Sequence, residues 1–244
     1  MLFRSPVVTW PFVAWILAAA LSQMAGTAFL LRAMTARSFA IGLVYSKSEV
    51  IQVAIFSALF LGDALSLSTA IAVGLATLGV ILLSPRLGAA ATSARSWTDA
   101  AALYGLASGA TFAISAVSYR GANLALAGAS PFLAAAETLF WSQLLQTLLL
   151  GAWLLARNPT IVLAILRQWR VSTFAGVSGA LASLTNVTAL AIAPPSLVRT
   201  LILVEVVFSY VVSRKVFHET VSGRELIGIV LVVSGAALIV ATAH

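Results

Sequence analysis

The chain has 244 residues, 61% of them hydrophobic and 9% charged, with a mean hydropathy of +1.06. A soluble domain carries about 25% charged residues, so this composition excludes a water-soluble fold and makes lipid the solvent. The formal charge of +7 does not mark a nucleic-acid binder, because the Lys and Arg residues sit singly or in pairs at the ends of apolar runs.

Apolar runs fall at 11–33, 39–61, 67–84, 99–119, 131–156, 172–193, 196–213 and 223–242. Runs near 20 residues match a hydrocarbon core roughly 30 Å thick. In lipid such runs must be helices, because each unpaired backbone group costs several kcal/mol and barrel-type alternation is absent. The predicted fold class is therefore all-α, a polytopic transmembrane bundle of about eight spans. The first run is too long for the apolar region of a secretory signal and reads as the first span.

Proline and glycine punctuate the helix ends at Ser84-Pro85-Arg86, Gly128-Ala129-Ser130-Pro131, Arg157-Asn158-Pro159 and Pro194-Pro195-Ser196. The longest breaks, 85–98 and 157–171, read as short linkers with no room for an extramembrane domain. One side of the membrane collects Arg32, Arg37, Arg86, Arg95, Arg157, Arg167, Arg170, Arg214, Lys215 and Arg224; the other has Arg4, Arg120 and Arg199. The positive-inside rule puts the first set in the cytoplasm and both termini outside.

Catalytic chemistry has little to work with. There is no cysteine, and the two histidines, His218 and His244, lie in a charged turn and at the C-terminus. Neither a metal site nor a Ser-His pair can be assembled at spanning depth, and no phosphate loop or dinucleotide fingerprint appears. The expectation is no enzyme and no cofactor, and energy coupling by nucleotide would need a partner protein.

The most informative pattern is internal. Glu49 and Asp63 are 14 residues apart, and Glu205 and Glu219 repeat that interval. Ser66 and Gly79 lie 3 and 16 positions beyond Asp63, as Ser222 and Gly235 do beyond Glu219. An odd number of spans separates the two copies, which therefore lie in opposite orientations, the inverted-topology repeat of many secondary transporters.

The stretch Tyr45-Ser46-Lys47-Ser48-Glu49 through Phe60-Leu61-Gly62-Asp63-Ala64-Leu65-Ser66, followed by a helix punctuated by Gly74 and Gly79, resembles the closing part of the EamA repeat in the drug/metabolite transporter superfamily. The resemblance implies a partial N-terminal EamA repeat of three spans over 11–84, a linker over 85–98 and a complete five-span repeat over 99–242. Members of the family usually have ten spans, so it also implies that two helices are missing before Pro11. It implies cytoplasmic termini as well, contrary to the charge count.

An ionised group at the bilayer centre costs at least about 2.5 to 3.5 kcal/mol on insertion scales, so an intramembrane Glu is a functional candidate. Glu49 is predicted about ten residues into its span, with Tyr45 at i−4 and Gln52 at i+3 on one face. Glu205 sits similarly, with Ser209 one turn on. Burial favours the protonated form of a carboxyl unless a cation pairs with it, so each could carry a proton or hold an ion pair that fixes packing. For Glu49 the candidate cations are Lys47 and Arg199; Lys47, two residues away, points elsewhere and needs a partner on another helix. Glu137, with Trp141 at i+4, and Asn186, with Ser183 at i−3, complete the pathway candidates, Asn186 reading also as polar glue between helices. Gly105 and Gly109 form a small-xxx-small packing pair, and Asp63 and Glu219 read as turn and cap residues.

The expected function is secondary transport, as exporter or permease, of small organic metabolites or drugs by alternating access, with proton coupling through Glu49 or Glu205. The alternative is a truncated, non-transporting membrane subunit or scaffold. The expected partners are a small-molecule substrate and the lipid bilayer, in the bacterial plasma (inner) membrane, without nucleic acid; a homo-oligomer stays open.

Overall fold

The computed structural model describes residues 9–36, 45–63, 66–83, 100–126, 128–205, 208 and 223–242. Arg4, Arg37, Arg86, Arg95, Ser209, Arg214, Lys215, His218, Glu219, Ser222, His244 and the 85–98 linker lie outside them. In chain order the helices are α1 (Trp10–Ala36), α2 (Glu49–Leu61), α3 (Leu67–Leu83), α4 (Ala100–Ala125), α5 (Pro131–Arg157), α6 (Pro159–Arg167), α7 (Trp169–Ile192), α8 (Pro195–Ile202) and α9 (Gly223–Thr242). Among the described residues α1, α4, α5 and α7 are long and apolar enough to cross a membrane, and three shorter apolar helices cover Glu49–Leu61, Leu67–Leu82 and Leu226–Ala241. This is a polytopic helical membrane bundle, with helix in each of the eight expected spans.

Four boundaries differ from the sequence reading. The supposed linker at 157–171 contains α6, a helix whose nine residues are too few for a span. Helix α4 continues to Ala125, six residues beyond its predicted end, so Arg120 lies inside it and not in a loop. The spans predicted at 39–61 and 196–213 are each interrupted, at 47–48 and at 203; neither point carries the Gly or Pro that would announce it.

Local chemistry sets the other ends. Ser130 caps α5, its hydroxyl accepting from Leu133 N at 3.4 Å, with Pro131 opening the helix. Ser66 caps α3 by accepting from Thr69 N at 3.1 Å. Helix α2 ends at Gly62 with φ +70, which only glycine adopts without penalty. Beyond it the Asp63 carboxylate accepts a hydrogen bond from the Ser57 hydroxyl.

The chain divides into two compact units, and the division falls inside α1 and α4. The first, Met1–Met24 with Ser118–Ala193, is cored by Phe12, Ile16, Ala122, Leu126 and Ala134. Its α7 ends where the chain turns extended at Ala193 and enters Pro194-Pro195, neither of which has an N–H. Arg120 supplies the missing donors, its Nη1 reaching Leu190 O at 3.0 Å and Ala191 O at 2.8 Å. A cation at a helix C-terminus also meets the negative end of the dipole.

The second unit, Ala25–Val117 with Pro194–His244, is cored by Val50, Val73, Ala76, Val80, Leu203 and Val232. Here α3 and α9 pack closely at two glycines. A methyl added to Gly79 would lie 2.6 Å from Gly228 O and 2.7 Å from Val232 N, and one added to Gly235 would lie 2.7 Å from Ala72 O and 3.0 Å from Ala76 N. A shift of 156 residues carries Gly79 to Gly235, Ala72 to Gly228 and Ala76 to Val232. The two close contacts are thus exchanged by the internal repeat.

Candidate functional site

The charged candidates meet in the second unit, at two helix breaks. Residues 45–46 are helical, 47–48 form a turn, and α2 begins at Glu49. Likewise α8 stops at Ile202, Leu203 is a turn, and the helix resumes over 204–205. Ser48 has φ −57 and ψ −15, and Leu203 has φ −57 and ψ −19. In both places the backbone bond spans three residues, from Ser48 N to Tyr45 O and from Leu203 N to Thr200 O, each 3.2 Å. This is 3₁₀ geometry, which in mid-helix often marks a functional hinge. Under the 156-residue shift the turn at 47–48 falls on 203–204, so the two breaks overlap, within two residues of the acid in each copy.

Across them the charges pair crosswise. Lys47 Nζ donates to Glu205 Oε1 at 2.6 Å. Arg199 Nε lies 3.0 Å from Glu49 Oε1, an ionic contact without the alignment of a hydrogen bond. The second pair is the more enclosed, its side chains 15% and 14% exposed, whereas Glu205 is 55% exposed. Of the two cations offered to Glu49 by the sequence, Arg199 takes it; Lys47 finds its partner on another helix, as its spacing requires.

Polar neighbours hold the first break in place. Gln52 donates to Ser48 Oγ at 2.9 Å and to Leu106 O at 3.5 Å. Tyr45 is buried. Of the predicted stripe, Glu49 and Gln52 lie together on α2, and Tyr45 precedes the turn at 47–48. Gly109 of α4 comes against the turn: a methyl there would lie 2.7 Å from Ser48 Oγ and 3.0 Å from Glu49 N. The packing expected of Gly109 therefore bears on the break itself.

Asn186, Glu137 and Trp141 belong to the first unit and join no charged pair among the described residues. Among the described residues Asn186 Oδ1 is buried without a hydrogen-bond partner, Glu137 is half-buried, and Trp141 sits edge-on to Phe140 with centroids 5.5 Å apart. A polar cluster that sequence reasoning missed lies nearby in the chain. The Tyr119 and Ser142 hydroxyls are 2.8 Å apart, and Gln146 donates to Ser142 Oγ at 3.0 Å. The i, i+4 spacing of Ser142 and Gln146 in an apolar helix was its available signal.

With this geometry in view, the profile of the EamA-like transporter family matches residues 99–241. The chain belongs to the EamA-like transporter family. A solved crystal structure superposes with a TM-score of 0.64 at 15% identity, covering 97% of this chain and 91% of the other, which speaks for a shared fold alone. No curated protein matches the chain. Membership of the EamA family makes this a multi-pass membrane protein of transporter type, with a small-molecule substrate and a lipid environment. In EamA terms the matched region contains Arg199 and Glu205, whereas Lys47 and Glu49 precede it.

Proposed function

We propose that the chain is a secondary transporter of small organic metabolites or drugs, working by alternating access in the bacterial plasma membrane. The observation that carries this reading is the pair of crossed ion contacts at matched helix breaks. Broken helices at a repeat interface supply the charged and backbone groups of many transporter sites. We take 11–84 as a partial first repeat, 85–98 as a linker and 99–242 as the second repeat; the exchanged glycine contacts of α3 and α9 support the division. Lys47, Glu49, Arg199 and Glu205 form the charged centre and Tyr45 and Gln52 shape it, with Asn186, Glu137 and Trp141 as separate candidates in the first unit.

Proton coupling runs through Glu49 or Glu205: neutralising either carboxylate releases its cation and frees its break to move. The test uses the full chain in proteoliposomes with an imposed pH gradient and a panel of fluorescent amphipathic organic compounds. Wild type should move at least one of them, and Glu49→Gln with Glu205→Gln should abolish the gradient-driven component. Unchanged flux in the double variant would remove the coupling role, whereas no flux of any compound in wild type would count against the carrier itself.

A further inference from the structure

The corner formed by α5, α6 and α7 carries charge that no group among the described residues neutralises. Arg157 closes α5, Arg167 closes α6 and Arg170 lies in the first turn of α7. All three are exposed, and none meets a carboxylate among the described residues. The Arg170 guanidinium lies 5.6 Å from the ring centroid of its neighbour Trp169. Glu137 is the one acid within 118–193. It sits 20 residues before Arg157 along the same helix, about 30 Å away at 1.5 Å per residue, a full hydrocarbon thickness.

The same corner exposes apolar surface. Trp153, Leu166 and Trp169 are 55%, 65% and 61% exposed. Tryptophans at this position in a spanning hairpin belong to the membrane–water boundary, and a short apolar helix with basic ends lies in the interface plane. Guanidinium groups demand an anion with oxygen acceptors, whereas the surface between them demands hydrocarbon. A free phosphate meets the first demand and leaves the second; an anionic phospholipid meets both.

We propose that this corner is a binding site for anionic phospholipid, with headgroup phosphates taken by Arg157 at one end of α6 and by Arg167 and Arg170 at the other, and the acyl chains descending into the bilayer past α6 beside Trp153 and Trp169. Basic residues near a charged lipid surface each contribute roughly a five-fold gain in affinity, so three distinguish anionic from zwitterionic lipid clearly. The site is independent of the charged centre at the helix breaks.

Native mass spectrometry of the full chain in neutral detergent, titrated with phosphatidylglycerol or phosphatidylcholine, tests this. Wild type should keep phosphatidylglycerol adducts selectively, each single Arg→Gln variant should lose retention by about five-fold, and the triple Arg→Lys variant should keep most of it. Equal retention of the two lipids by wild type, or undiminished retention of phosphatidylglycerol in the single Gln variants, overturns the site. Displacement of the adducts by millimolar inorganic phosphate overturns the assignment to lipid, since a headgroup anchored by its chains resists a free anion. The remaining single variants keep the test decisive if one Gln variant fails to fold.

Discussion

Glu49 and Arg199 form the most enclosed charged pair among the described residues. Removing one partner of such a pair strands the other in low dielectric, at a cost of about 3 kcal/mol or more. Arg199→Met should therefore lower thermal stability in detergent by that order, and adding Glu49→Gln should recover much of the loss, since the stranded charge is then gone. A fully additive double variant, measured by thermal unfolding of the purified chain, would mean that the two side chains do not depend on one another. Glu49 and Glu205 were legible from the sequence because an acid in an apolar run stands out against its background. The crossing of their partners was not: Lys47 and Glu205 are separated by 158 residues, and nothing local in the chain states which cation an acid will meet. Arg120 was misread as a boundary charge for a related reason, since its partners are backbone carbonyls, which have no sequence signature.

At the scale of elements, the α3–α9 contact makes a sharper prediction than the charged centre does. Gly79 and Gly235 each face backbone atoms of the opposite helix, which cannot step aside. Gly79→Val and Gly235→Val should each cost about 1 to 3 kcal/mol or more through overpacking, and by similar amounts, because their surroundings are exchanged by the repeat. A marked difference between their unfolding midpoints would argue that the match is only geometric. Helix positions were readable from hydropathy because lipid leaves the backbone few alternatives. The interruptions at 47–48 and 203 and the short α6 were not, for hydropathy averages over the turn that a break occupies and over a helix of nine residues.

For the whole molecule, the absence of native cysteine makes topology accessible to single-cysteine labelling. Helix α5 has 27 residues, about 40 Å at 1.5 Å per residue, so Ala129→Cys and Asn158→Cys should react with a membrane-impermeant thiol reagent from opposite faces. Labelling of both from one face would remove α5 from the spans. The charge bias around such helices also looks different once the folded chain is considered. Arg120 and Arg199, two of the three cations counted against the Arg-rich side, are engaged inside the protein by helix carbonyls and by Glu49. Both are held by groups of the protein, and a topology argument has no use for them.

The Glu49–Arg199 contact also sets a timetable. The two residues are 150 positions apart, and a ribosome adding roughly 5 to 20 residues per second needs about 8 to 30 seconds to travel from one to the other. During that interval the nascent chain holds a carboxylate in or near the bilayer with its counter-ion not yet made. The early helices must wait with Glu49 lacking Arg199, and the contact closes only after the eighth helix has been synthesised.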